Sequence, residues 1–224
     1  MFIHDNEPQS FYDAYNEFIF AKDIKILQKL LFKYKILSQT RDIPGDILEL
    51  GVFKGSGMVG WLKVLKILGI NNKNVFGFDI FDQDSLVQSI NTSDNAVMRS
   101  LFVERNFDAK NYEEYLNKVL VLIGFNNFSI IKGDVFDTVP NFLEENPGFR
   151  VSVVNFDLDT DEPTYHCMNL LYDRLVPGGV MVFDEYAVNE WTESNAVDRF
   201  ISNKRIRLLN TNLSAPTAYF IKDI

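Results

Sequence analysis

The sequence predicts an α/β fold: a mostly parallel sheet covered by helices on both faces, with a C-terminal antiparallel hairpin and an N-terminal helical extension. Three observations carry that expectation. Short apolar runs alternate with stretches of helical spacing along most of the chain, which is the pattern of βα units whose strands are buried on both sides. The first apolar run leads into a glycine-rich turn that opens a helix. Two later runs end in acidic residues.

The elements follow in order. From Phe11 to Leu37, apolar residues such as Phe11, Tyr15, Phe18, Leu27, Leu30 and Tyr34 recur at helical spacing, giving one broken helix or two successive ones. Pro44-Gly45 punctuates the chain, and Asp46–Val52 is a short buried strand. A helix over Met58–Leu68, a turn at Asn71–Lys73 and a strand over Val75–Asp79 come next. The stretch from Phe81 to Asn111 is polar and irregular, with a helix near Ala96–Arg105. Beyond it the pattern gives a helix (Tyr112–Ile123), a strand (Phe128–Lys132), a helix, a strand (Val151–Asp157), a helix (Thr164–Leu175) and a strand (Val180–Asp184). A helix near Asn195–Ser202 and two β-like segments, Arg205–Leu209 and Ala218–Ile221, complete the chain. The 224 residues suit one domain, with 1–43 as the helical extension and 44–224 as the core.

Composition narrows the partners. A net charge of -9 argues against a phosphate-binding face and hence against nucleic acid, leaving small molecules open. Cys167 is the only cysteine, which excludes intramolecular disulfides and CxxC metal sites. MFIHDNEPQS lacks a basic stretch followed by an apolar run, and Val119–Ile123 is far too short to span a bilayer. A cytoplasmic protein without a membrane segment is the expectation.

Val151–Tyr186 is the most informative stretch. It reads strand, helix, strand, with Asp157 and Asp159 closing the first strand and Asp184 and Glu185 the second. Neighbouring parallel strands aim their carboxyl ends at one crevice, where ligands bind. Four carboxylates gathered there repel one another and lose hydration unless a counter-charge offsets them, and a hard divalent cation is a natural one. Ordinary polar loop residues and a helix start are the plainer reading of any one pair.

Glu49, Gly51, Phe53, Gly55, Ser56 and Gly57 form the turn after the first strand. Glycines there let the backbone approach a ligand, and the helix start offers free amides. The spacing G-x-x-x-G-x-G is neither a P-loop nor GxGxxG. Asp79, ending the second strand, can accept from two ribose hydroxyls, and Asp134, after the third, from an adenine amino group. Glu49 lies inside a buried strand and needs a cationic or amino partner.

Together ILELGVFKGSG, VFGFDIF, IIKGDVFDTVP, NFDLD and LLYDRLVPGGVMVFDEY resemble the class I S-adenosylmethionine methyltransferases, specifically the macrocin O-methyltransferase-like (TylF/MycF/NovP) family; NAVDRF adds to the likeness. The resemblance runs from about residue 45 to 201. It implies a Rossmann-like sheet, S-adenosylmethionine as cofactor, Mg²⁺ or a similar cation, and a hydroxyl acceptor on a sugar. It also implies that N-terminal elements help close the site and build a homo-oligomer. Carried over, Glu49 and Gly51 hold the methionine end, Asp79 the ribose, Asp134 the adenine, Asp157, Asp184 and Glu185 the metal, while Asp159 is the general base. Three positions depart from the family pattern: Gly57 stands for Ser or Thr, Glu185 for Asp, and Asp161 for Tyr.

A catechol or other phenolic acceptor would use the same chelating chemistry. An NAD(P)-dependent oxidoreductase is disfavoured by the glycine spacing, and a non-catalytic cofactor-binding protein by Asp157, Asp159 and Asp184. Among the remaining residues, His166 and Cys167 read as packing residues and His4 is assigned nothing. Asp82–Asn95 reads equally as lid or loop. Trp191, Phe11, Tyr12 and Tyr15 could line an acceptor pocket, with core packing the safer reading for most of them.

Overall fold

The computed structural model describes residues 8–82, 111–202 and 204–223. Its strands are β1 (Asp46–Leu50), β2 (Val75–Asp79), β3 (Phe128–Lys132), β4 (Val151–Phe156), β5 (Leu175–Phe183), β6 (Leu209–Asn210) and β7 (Ala218–Ile221). They form one seven-stranded sheet in the order β3-β2-β1-β4-β5-β7-β6. The first five in that order are parallel, whereas β7 is antiparallel to β5 and β6 to β7. The chain winds outward from β1 to β3 and then returns to lay β4 beside β1. The carboxyl ends of β1 and β4 therefore flank the switch point where open α/β sheets bind ligands.

Alternation along the strands divides the core into two layers. Ile47, Val75, Val153, Val180 and Val182 pack with Phe32 and Ile36 of α2 (Lys25–Gln39), Trp61 and Leu65 of α3 (Ser56–Leu68) and Leu120 of α4 (Tyr112–Leu122). Leu48, Leu50, Val154, Phe156, Met181 and Phe183 pack with Val139 of α5 (Val135–Glu145), Met168 of α6 (Asp161–Tyr172) and Phe200 of α7 (Glu193–Ile201). Each such large side chain contributes about 1.5–3 kcal/mol on burial. Glu49 shares the parity of Ile47, so it projects into the α2–α3 layer rather than toward solvent.

Several boundaries differ from the sequence expectation. α6 starts at Asp161 rather than Thr164, because Pro163 falls in the first turn, where its missing N–H has no intrahelical partner to lose. β5 starts at Leu175, before the Pro-Gly-Gly turn signal. Val151 pairs with Leu175 and Val153 with Val180, so Pro177, Gly178 and Gly179 are absorbed as an irregularity within the strand. The C-terminal hairpin pairs only Leu209 and Asn210 with β7, whereas Arg205–Leu209 was the expected segment.

The first helix, α1 (Pro8–Phe20), corrects another expectation. Phe11, Tyr12 and Tyr15 are 60, 61 and 52% exposed, so they are not core residues. His4, the Ala96–Arg105 helix and the candidate lid beyond Asp82 lie outside the described residues. Cys167 is fully buried, and the His166 ring stacks obliquely against Phe136 at 4.7 Å between centroids. Among the described residues no helix is long and apolar enough to cross a membrane.

Candidate functional site

Strand register assembles the site. Gly51 N donates to Phe78 O (2.9 Å), Asp157 N to Leu50 O (2.8 Å) and Asp184 N to Phe156 O (3.0 Å). These ladder steps set Gly51, Asp157 and Asp184 on adjacent strands, with a spacing of about 4.8 Å between strands. Gly51 has φ +90°, and a Cβ there would lie 2.0 Å from the Asp157 carbonyl oxygen. Only glycine permits β1 and β4 to end this close together. Beyond the same row the chain turns through left-handed non-glycine residues: Phe53 (φ 49°), Phe81 (φ 44°), Asp159 (φ 64°) and Ala187 (φ 62°). Such conformations cost energy and gather where the surroundings hold a side chain at a required angle.

Sequence reasoning missed the counter-charges. Lys25, Lys29 and Lys33 lie on one face of α2, four residues apart. Lys25 Nζ is 2.8 Å from Glu185 Oε1, and Lys33 Nζ is 3.5 Å from Glu49 Oε2. Lys29 Nζ lies between two acids, 3.1 Å from Asp157 Oδ2 and 2.6 Å from Asp184 Oδ2. One ammonium group serves Asp157 and Asp184 together. All three proposed metal positions thus face an ammonium group. The signal was the i, i+4, i+8 lysine spacing, which reads in isolation as a solvated face.

The glycine-rich turn is built around two acids. Glu49 is 2% exposed, and its carboxylate packs so tightly on Gly57 that a Cβ there would sit 1.7 Å from Oε1. Lys33 Nζ also sits 4.0 Å from the centre of the Trp61 ring, so one buried cation serves a carboxylate and an aromatic face. Burial holds the Glu49 carboxyl above the usual range despite Lys33. Asp79 Oδ2 accepts from Val52 N (2.8 Å) and Phe53 N (2.7 Å), and Oδ1 from Phe81 N (2.9 Å). Its carboxylate fixes the turns after β1 and β2. Gly55, with φ +85°, precedes α3 and packs on Leu116, and exposed Ser56 begins that helix. Asp134 caps α5 by accepting from Phe136 N at 3.0 Å.

Glu193 was also missed. It is fully buried, and its Oε2 accepts from Glu185 N at 2.9 Å while Oε1 has no partner. Burial, then the nearby acids, drive its carboxyl well above the usual range. Burial and the neighbouring Asp157 raise Asp184 in the same way. For Asp159, burial followed by Asp157 and Glu185 pushes the carboxyl up to about 8. The strand-end loops are braced from α7: Arg199 pairs with Asp161 Oδ1 (2.8 Å) and Glu162 Oε1 (3.2 Å), and Thr192 Oγ1 accepts from Asp161 N (3.0 Å).

The donor set suits a hard cation. Glu49, Asp157, Asp159, Asp184, Glu185 and Glu193 outnumber Lys25, Lys29 and Lys33, so acid exceeds base locally. The oxygen-only donors fit a divalent ion, and Lys29 supplies the positive charge to Asp157 and Asp184. Among the described residues no three acidic, His or Cys side chains converge as a metal cage.

Residues 27–222 match the family model for macrocin-O-methyltransferase (TylF). Over 156 residues the chain is 26% identical to the Streptomyces olivaceus 8-demethyl-8-(2,3-dimethoxy-alpha-L-rhamnosyl)-tetracenomycin-C 4'-O-methyltransferase, covering 66% of this chain and 55% of that protein. It is 27% identical over 158 residues to the Micromonospora griseorubida mycinamicin III 3''-O-methyltransferase, covering 67% and 59% respectively. The chain thus spans somewhat over half the length of the curated relatives it matches. Its fold resembles that of the calicheamicin methyltransferase CalS11, with a TM-score of 0.73 at 21% identity over 98% of this chain and 87% of that one. The match over nearly the whole chain places this protein in the macrocin-O-methyltransferase (TylF) family.

Proposed function

We propose that this chain is an S-adenosylmethionine-dependent O-methyltransferase acting on a hydroxyl of a sugar or glycosylated small molecule. The observation that carries the reading is the placement of Asp157, Asp184 and Glu185 at two adjacent strand ends, the first two joined through Lys29, beside the Glu49–Gly57 turn and within the segment matched to the family. A sugar acceptor is preferred to a phenol because the first relative's name specifies a rhamnosyl substrate, and the second also methylates a natural product.

When bound, S-adenosylmethionine supplies an electrophilic methyl group, and a divalent cation such as Mg²⁺ supplies a Lewis acid for the acceptor hydroxyl. Asp157, Asp184 and Glu185 would hold that cation. Glu49 offers a buried carboxylate to the methionine ammonium group. Gly51, Phe53, Gly55, Ser56 and Gly57 would shape the cradle, with Asp79 available to the ribose hydroxyls and Asp134 to the adenine. Asp159, which follows β4 with a left-handed backbone, would take the proton from the acceptor oxygen. Holding oxygen, methyl and sulfur in line supplies much of the remaining acceleration. The exposed Phe11, Tyr12 and Tyr15 of α1 support a dimer or larger homo-oligomer built through the N-terminal helices.

The test is Asp159→Asn. The variant should bind S-adenosylhomocysteine like the parent while turnover falls about 10²–10⁴-fold, the usual contribution of a positioned base. Unchanged turnover would remove Asp159 from that role. Full activity of the parent in chelator would remove the metal.

A further inference from the structure

The lysines of α2 have a consequence beyond local neutralisation. In this helix Phe32 is the first buried residue; the turns before it contain none. Ile26, Leu30 and Leu31 are exposed. Apart from Gln28 Oε1 accepting from Ser214 N (3.1 Å), the polar ties of these turns to the sheet are Lys25 to Glu185 and Lys29 to Asp157 and Asp184. Lysine also opens the helix, where the macrodipole disfavours positive charge, and no acidic residue lies in its first turn. These turns are therefore held against the strand ends mainly by charge, whereas Phe32, Ile36 and Leu37 anchor the rest of the helix in the core.

We propose that Lys29 is the resident counter-ion of the acidic cleft and competes with a divalent cation for Asp157 and Asp184, so that cation binding releases the first two turns of α2. The proposal rests on the metal reading above. An ammonium group and a divalent ion cannot both occupy the gap between two carboxylates one strand apart. Asp184 is almost wholly buried and takes its strong positive contact from Lys29, so a cation seated there must displace that contact. Lys29 carries only one charge on a flexible stem and can withdraw toward solvent, because its side chain is 29% exposed. The arrangement keeps buried carboxylates compensated before a ligand arrives and links ligand entry to movement at the N-terminal end of the helix.

The experiment compares Mn²⁺ and Mg²⁺ binding by calorimetry to the parent, Lys29→Met and Asp184→Asn, with hydrogen exchange of residues 25–31 followed in the parent. Methionine keeps the apolar stem and removes the competitor. If the cation-competent arrangement is populated at about one molecule in ten, removing Lys29 tightens apparent affinity about tenfold. The expected results are that gain in Lys29→Met, loss of binding in Asp184→Asn, and faster exchange in residues 25–31 of the parent on adding metal. Equal affinities for parent and Lys29→Met, or exchange in the parent unaffected by bound metal, overturn the competition while leaving the metal site standing. Absence of binding to both proteins overturns the competition and the metal reading together. Should Lys29→Met fail to fold, the exchange response of the parent decides the matter.

Discussion

Gly51→Ala tests the junction on which the site depends. A Cβ at this position would lie 2.0 Å from the Asp157 carbonyl oxygen and 2.7 Å from its carbon. Both are backbone atoms, so no side chain can swing aside. Relief requires β1 and β4 to part by roughly an ångström, stretching the Asp157 N to Leu50 O hydrogen bond that joins them. That bond contributes about 0.5–1.5 kcal/mol, and holding alanine at φ +90° costs about 1–3 kcal/mol. The expected loss is about 1.5–4.5 kcal/mol, a large part of the roughly 5–15 kcal/mol that keeps a domain folded. In urea denaturation, with a slope of about 2–3 kcal/mol per molar, the midpoint should fall by about 0.5–2 M. Gly69→Ala is the control: Gly69 has φ +65°, and a Cβ added there would meet nothing within 4 Å, so only the left-handed backbone cost of about 1–2 kcal/mol applies. Equal losses in the two variants would refute the close approach of β1 to β4.

Two further predictions concern the buried acids. Glu193→Gln should leave the denaturation midpoint unchanged or raised, because the amide oxygen still accepts from Glu185 N without a buried acid; Glu193→Ala should cost about 1–3 kcal/mol by orphaning that N–H. A glutamine variant as damaged as the alanine one would show that the charge is needed. Asp159, Asp184 and Glu193 are all raised in the folded protein, so between the ordinary carboxylate range and about pH 8, the value reached by Asp159, the folded state holds more protons than the unfolded one. These groups stabilise the metal-free fold most at the acidic end of that window, and stability should fall from pH 6 to pH 8. A urea midpoint that rises over this interval would contradict the assignment.

Much of this was legible in the sequence because apolar runs report strands directly. β1, β2, β3 and β4 fall within a residue or two of the expected spans, and acids at strand ends mark the cleft whatever the intervening loops do. The start of β5 was hidden because Pro177-Gly178-Gly179 carries turn chemistry inside a paired strand. Lys29 was hidden more deeply. Its partner Asp157 lies 128 positions away along the chain and Asp184 further still, and only the stacking of α2 over the sheet brings them together. Glu193 looks like an ordinary helix-start acid, and its burial comes from packing of α7 under the loop after β5. The aromatic residues of α1 show the converse: helical spacing revealed an apolar face but not whether the same chain covers it.

A cofactor cradle beside a cation-dependent acceptor site has a direct calorimetric signature. S-adenosylhomocysteine is titrated into metal-free protein, and candidate sugar diols are then titrated with and without Mg²⁺. Binding of S-adenosylhomocysteine should saturate, and acceptor binding should occur only when Mg²⁺ is present. Folded protein that fails to bind S-adenosylhomocysteine would contradict the cradle, and acceptor binding unchanged by chelator would contradict the metal's part in it.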